Sequence, residues 1–554
     1  MDKDQSRLFI AVALSILVFV VWDLVFVDRK AVQQPGQTTE AEQAVKEKPY
    51  VKDKKIKEAI KAPSQQADTS RLLQKARTIT VDTPLYTVKI SERGAVFKSF
   101  VLKEYKEKID ADSPAFEMIS PENRNGTVRV NFTGSSFPEL ENAAFLSQLK
   151  SDSVDVSARS EEIIFSWVSP EGIAVEKKFV FSPETYMIGF NVTVKNGSDL
   201  AIKDSLILSL AKLAPEKTAR YGFEGPSALL NDELEQIKMK KIKDKSEYTG
   251  KLGWIAVQDR YFISSIIPKE PYEAGMRLSL TPDNILEGSY IQPVSVINPG
   301  NQHIFEYRLF FGPKSLKLLN TFDCDLVKAI NFGFFDILAK PCVWIMNFLY
   351  DHFISNYGVA IIILTLLTKI ILWPLGNKSY KSMNQMKKIQ PLLTEIRTKY
   401  KDDKKKQNEE MMALYKTYKV NPMGGCLPMF VQIPVFFALY RMLYEAIELR
   451  HAPFFGWITD LSAPDRLFSF DFSIPFMQAP YGIPVLTIIM GVTMFLQQSM
   501  SPPVGDATQA KMMKLMPIAF TFIFINFSSG LVLYWLVNNV LSIAQQYYVL
   551  KKTD

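Results

Sequence analysis

Residues 360–376 read AIIILTLLTKIILWPLG, apolar enough to cross a membrane yet carrying Lys369. A lone ammonium near the centre of a bilayer costs about 3 kcal/mol on insertion scales, so Lys369 must snorkel to the headgroups, find a partner, or face a water-filled cavity. The lysine stem could cover part of the six residues, about 9 Å of helix, that separate it from Leu375. On the residues alone all three outcomes stay open.

Working outward, further apolar runs at 427–443, 481–500, 515–527 and 531–549 join 357–375, which Pro374 is expected to end near the interface, as candidate spans, the last two divided only by Ser528, Ser529 and Gly530. Residues 8–27 add a sixth. They are long enough for a span of about 20 residues, and no small-residue cleavage site follows them, so they read as a retained signal anchor. Residues 316–354 are aromatic and half apolar but interrupted by Asp336, Lys340, Pro341 and Asp351. They read as an amphipathic helix in the membrane interface, with a short seventh span as the alternative.

The N-terminal half is patterned differently. Residues 30–63 are rich in Gln, Glu, Lys and Pro and have too little apolar surface to fold alone, which makes them a tether. From 64 to 315, alternating strings such as KKFVF and YMIGFNVTVKNG read as strands of period two, punctuated by Gly, Asn and Pro. The fold class is therefore a polytopic α-helical membrane protein with an N-terminal anchor (1–29) and a large β-sandwich domain (64–315). An interfacial helix region (316–354), a helical core (355–550) and a short tail (551–554) complete it.

Charge orients these parts. Of the net +7 of the 554-residue chain, all is accounted for by residues 377–422, which hold 12 Lys/Arg against 5 Asp/Glu. The remainder is balanced, which excludes a general or sequence-specific nucleic-acid binder. The 445–480 loop is acidic by comparison. Under the positive-inside rule the basic segment is cytoplasmic and the acidic loop external, placing both termini inside and the β domain outside. The basic segment itself reads as a helical hairpin. Met383, Met386, Ile389, Leu393 and Ile396 recur at helical spacing, KDDKKKQNEE forms a charged tip with Lys404, Lys405 and Lys406, and Met411 and Met412 lie on the return. Its methionine stripe either packs between its own two helices or serves as an adaptable apolar surface, with Lys387 and Lys388 beside it. The three cysteines, Cys324, Cys342 and Cys426, are too scattered for a metal site or a disulfide framework, and no cofactor motif is present.

The runs NPMGGCLPMFVQIPVFFALYRML, ELRHAPFFGWITDLS and SSGLVLYWLVNN, in that order, resemble the YidC/Oxa1/Alb3 family of membrane protein insertases, in its bacterial inner-membrane form with a large periplasmic domain. Asn421, Pro422, Gly424, Gly425, Pro428, Pro434 and Gly530 carry the motif. The resemblance implies a five-helix core around a hydrophilic groove with a cation at Lys369, where many relatives have arginine. Thr365 matches another groove position, and Trp535 stands where relatives often place a tyrosine. Thr368 and Gln432 join the candidate groove set, although Gln432, like Gln498, Asn526, Asn538 and Asn539, can equally make an interhelical hydrogen bond. Implied partners are nascent membrane proteins, the Sec translocon, the ribosome through the cytoplasmic loops, and membrane lipids. The 13-residue run 515–527, about 20 Å of helix against a core of about 30 Å, implies local bilayer thinning and insertion without nucleotide hydrolysis. A transporter would need repeats that are not visible here, and a carbohydrate enzyme in the β domain would have His303 as its only histidine.

Overall fold

The computed structural model describes residues 76–110, 112–134, 137, 140–215, 222–420, 427–501 and 507–553. The anchor at 8–27, the tether at 30–63 and the motif residues Asn421, Pro422, Gly424, Gly425 and Cys426 lie outside them.

Among the described residues the β domain is built on a 13-stranded and a 5-stranded sheet. Strict alternation decides which side chains meet. Strands Ile173–Phe181 and Met187–Asn196 bury every second residue, and Met187–Asn196 pairs antiparallel with Gln302–Pro313 on its other side. The smaller sheet contributes Phe97 and Phe100, whose rings lie 5.2 Å from Phe179 and 5.0 Å from Phe311 across the gap. The two inner faces thus interlock as in a sandwich, and each ring removed from water contributes roughly 2–3 kcal/mol. The same alternation turns one charge inward. Lys177 is fully buried, its Nζ donating to the Gly94 carbonyl at 2.6 Å and lying 4.5 Å from the Phe145 ring centre. Burial pulls its pKa down to about 7, with the Glu141 carboxylate opposing the shift only partly.

Among the described residues a four-residue helix, Leu316–Leu319, is followed by seven longer ones: α1 (Asp336–His352), α2 (Tyr357–Lys399), α3 (Lys404–Thr417), α4 (Leu427–Glu445), α5 (Val485–Met500), α6 (Ala507–Phe524) and α7 (Ser529–Thr553). Among the described residues one helix, α2, is long and apolar enough to cross a membrane; Val485–Met500 and Met512–Phe524 are shorter apolar helices. Helix α1 is amphipathic in an unusual sense. Ala339, Val343 and Met346 pack inward on α2 and α4, whereas Ile337, Trp344 and Phe348 form a second, exposed apolar stripe, with Asp336 and Lys340 paired at its start.

Three boundaries differ from the sequence reading. Pro374 does not end the Lys369 span, because α2 runs without a break through Pro374 and Pro391 for 43 residues. A proline deletes one rung of the helix and need not end it. The charged tip is narrower than the run KDDKKKQNEE, since Lys404–Lys406 and the residues to Glu410 are already helical. They form the first turns of α3, which the Asp403 carboxylate caps by accepting from Lys406 N at 3.0 Å, so the turn itself is only residues 400–403. Finally, Tyr481–Ile483 is not the start of a span but a strand paired with Leu467–Phe470, and α6 begins eight residues before Leu515 and stops at Phe524.

The β domain is tied to the helical core at one junction. Arg260 donates to the Tyr444 carbonyl at 2.6 Å with its guanidinium 3.8 Å from that ring's centre, and Arg450 reaches back to the Lys106 carbonyl at 2.6 Å. Ser315 donates to Glu448 at 3.1 Å.

Candidate functional site: a polar seam in the helical core

Helix α7 is apolar along most of its surface, but Trp535, Asn539, Ser542 and Gln546 recur at intervals of four, three and four and therefore share one face. This face meets α2 and α5. At its centre Lys369 Nζ donates to Ser542 Oγ at 2.6 Å. Ser542 in turn donates to the Asn538 carbonyl at 2.7 Å, which leaves its lone pairs for the ammonium, and Tyr380 is hydrogen-bonded to the same hydroxyl. Lys369 is half-buried and has no ion-pair partner among the described residues. The ammonium is thus held sideways on a neighbouring helix, not extended along its own helix to the headgroups.

One to two turns beyond Lys369, Gln545 bridges the region around Pro374, its Nε2 donating at 3.0 Å to both the Trp373 carbonyl and Asn377 Oδ1. Gly376 permits that approach, since a Cβ there would stand 2.7 Å from Gln545 Nε2. Asn539 donates to Thr493 on α5 at 3.3 Å and Gln546 to the Met500 carbonyl at 3.2 Å. Gln432 is hydrogen-bonded to Tyr534, joining α4 to α7.

The structure groups the sequence candidates unevenly. Lys369 sits on the seam. Thr365 is fully buried and Thr368 partly so, and each hydroxyl bonds its own helix, to Ile361 O at 2.7 Å and Thr365 O at 2.8 Å. Trp535 lies two turns along α7 from Ser542, packed edge-on to Phe436 at 4.6 Å and beside Phe524 at 5.1 Å. Its Nε1 is buried without a hydrogen-bond partner among the described residues. Asn526 belongs elsewhere, clamping Phe476 O and Gln478 N at 2.7 and 2.8 Å. Gly530 allows the turn into α7 to press on the preceding loop, its N–H donating to Leu461 O at 2.9 Å where a Cβ would stand 3.0 Å from that oxygen. Pro428 and Pro434 both fall inside α4.

In the hairpin, Met386 and Met411 pack around Ile389, Leu393 and Val420 in a small core of their own, whereas Met412 is exposed and Met383 half-buried. Lys387, Lys388, Lys404, Lys405 and Lys406 all reach solvent. The methionines are thus divided between both readings of the stripe. Ser542, Gln545, Gln546 and Tyr380 were not singled out from sequence; the signal that could have found three of them is the polar spacing along α7.

Comparison with known proteins now bears on this arrangement. Residues 78–345 match the YidC periplasmic domain family and residues 348–554 the 60Kd inner membrane protein family. The chain belongs to the YidC family of membrane protein insertases. The membrane protein insertase YidC of Syntrophobacter fumaroxidans is 39% identical over 556 residues, 98% of this chain and 99% of that protein. That of Syntrophus aciditrophicus is 42% identical over 483 residues, 86% of each. A crystal structure of an active YidC insertase with its first transmembrane domain resolved aligns over 86% of this chain and 93% of that one, at 20% identity and a TM-score of 0.37. In YidC terms the β domain is the periplasmic domain, and the helical core is the inner-membrane part.

Proposed function

We propose that this chain facilitates insertion of nascent membrane proteins into the bacterial inner membrane, alone or beside the Sec translocon. In this reading six spans leave both termini cytoplasmic and the β domain periplasmic, and the exposed lysines of the α2–α3 hairpin receive ribosomes carrying clients. The observation that carries it is the Lys369 ammonium held on Ser542 inside an apolar helical bundle. A positive charge there lowers the barrier for an acidic client segment on its way across. At a separation of about 8 Å and an effective dielectric of about 20, the attraction is about 2 kcal/mol, or roughly thirtyfold in rate.

Short spans support the same mechanism. Helix α5 has 16 residues, and the apolar part of α6, Met512–Phe524, is shorter still. At about 24 and 20 Å these fall below a hydrocarbon core of about 30 Å. The bilayer beside them thins, and the path for a polar flank shortens. Partition of the client's apolar segment, at about 0.8 kcal/mol per buried CH2, is the driving force. The protein works without covalent chemistry, nucleotide or cofactor.

The test is reconstituted insertion of matched clients with acidic or neutral translocated tails. Lys369→Arg retains most activity, Lys369→Ala slows the acidic-tail client by tenfold or more, and Lys369→Glu slows it further, with the neutral-tail client less affected. Equal rates for both clients across all four proteins would sink the electrostatic role.

A further inference from the structure

The acidic external loop contains an element that this mechanism does not use. Strands Leu467–Phe470 and Tyr481–Ile483 form a hairpin whose only charged residue between 467 and 484 is Asp471. Phe476 is 84% exposed, Phe468 68% and Phe472 64%. Phe468 and Phe476 also hold positive φ, 57° and 65°, a region that aromatic residues rarely enter and that persists only where the surroundings impose it. Those surroundings are identifiable. Arg466 donates to Pro480 O and to Ile525 O, both at 2.8 Å, and Asn526 grips the tip at Phe476 O and Gln478 N. Asp465 accepts Trp457 Nε1 at 2.6 Å and Leu486 N at 2.5 Å, fixing the hairpin to the first turn of α5. A rigidly held cluster of aromatics thus stands out from the fold with its polar backbone tied behind it.

Its position tells what covers it. The hairpin ends one residue before α5 begins and is clamped to the residue after the end of α6, at the end of the bundle where Arg450 joins the β domain. Exposed apolar side chains also lie on the helix turns next to it, Ile488 and Ile489 at the start of α5 and Phe522 and Ile523 at the end of α6. These are the two helices that are too short for the bilayer, by about 6 and 10 Å. Four strand residues reach about 13 Å.

We infer that the 467–483 hairpin is immersed in the outer leaflet, where it supplies the apolar depth that α5 and α6 lack on the periplasmic side. Phenylalanine, unlike the amphipathic Trp and Tyr of the headgroup belt, partitions favourably into the hydrocarbon itself, which suits rings immersed below the headgroups. The hydrophobic deficit of the two helices then falls on the cytoplasmic leaflet alone, on the side from which clients arrive. This inference rests on α5 and α6 being spans, and its test separates the two.

Full-length protein lacking its native cysteines is reconstituted into phosphatidylethanolamine and phosphatidylglycerol vesicles. A nitroxide is attached in turn at Phe472→Cys, Phe476→Cys, Ile489→Cys on α5 and Leu200→Cys on the exposed β domain. Accessibility to oxygen and to a water-soluble nickel complex is measured at two lipid dilutions. The expected result is that positions 472 and 476 follow 489, with nickel collisions at least fivefold below those at 200 and oxygen collisions above them. Phe472 has ordinary backbone geometry, so its label reports even if the strained Phe476 position does not tolerate replacement. Nickel access at both hairpin sites equal to that at 200, with 489 protected, would overturn the hairpin and leave the spans standing. Access at 489 as well would overturn both. Protection of the hairpin that vanishes on lipid dilution assigns the patch to a second copy and overturns the lipid assignment.

Discussion

Lys177 makes the periplasmic domain's stability depend on pH in a direction opposite to that of an ion-paired lysine. Its amine is buried with one hydrogen bond, to Gly94 O, and its pKa falls from 10.5 to about 7. Between those two values the unfolded chain binds a proton that the folded chain does not, so stability rises with pH, by up to about 1.4 kcal/mol per unit. Below about pH 7 both states are protonated, and the folded state carries the full penalty, of order 5 kcal/mol. Integration over the window gives a gain of about 2 kcal/mol from pH 7 to about pH 9. Lys177→Met removes the titration and should lose that slope. At pH 7 it relieves about 4 kcal/mol of desolvation but strands the Gly94 carbonyl, a cost of about 1–3 kcal/mol, so it should be modestly more stable than wild type. Urea unfolding of the 64–315 fragment, followed through the buried Trp254, measures both quantities. Identical pH slopes for wild type and Lys177→Met would refute the assignment of a near-neutral buried amine.

Two further outcomes test the helical part. A Cβ at Gly358 would stand 2.0 Å from Phe454 Cδ2, so Gly358→Ala must push α2 from the 452–458 loop and should cost about 1–3 kcal/mol, read as a lower thermal midpoint in detergent. Asp403→Ala removes the N-cap of α3 and should cost about 1 kcal/mol locally, seen as faster hydrogen exchange in residues 404–410 with no change in the exchange of α7.

The sandwich was legible because period two is unambiguous over long strands: residues 173–181 and 187–196 bury alternate side chains as their pattern requires. Even the inward lysine could be read there, since Lys177 falls between Val175 and Phe179. The helices were legible in kind but not at their ends. Tyr481–Ile483 is apolar and short, a run that fits a helix start or a strand equally well, and pairing with 467–470 decided it. Pro374 deletes one rung without ending the helix, and the polar contact beside it, Gln545 on the Trp373 carbonyl, comes from 172 residues away in sequence. The cation at 369 drew attention at once because charge in an apolar run is rare, whereas its acceptor, Ser542, is a small hydroxyl like any other on a membrane helix. Trp535 shows the limit of position alone, since the surrounding rings of Phe436, Phe520 and Phe524, not its place in a motif, settle which way its indole packs.

The continuity of α2 makes it a lever. Lys369 lies about 18 Å from one end and about 45 Å from the other at 1.5 Å per residue, with the Ser542 contact near the fulcrum and Gln545 stiffening the joint at Pro374. Whatever seats on the hairpin and shifts its base by about 5 Å tilts such a rod by roughly 6° and swings the Tyr357 end by about 2 Å the other way. At the fulcrum the Lys369–Ser542 contact hardly moves, so the tilt is felt at the two ends of the rod and not at the ammonium. A push on the α2–α3 hairpin and a shift at the Tyr357 end of α2 are then two ends of a single rigid motion.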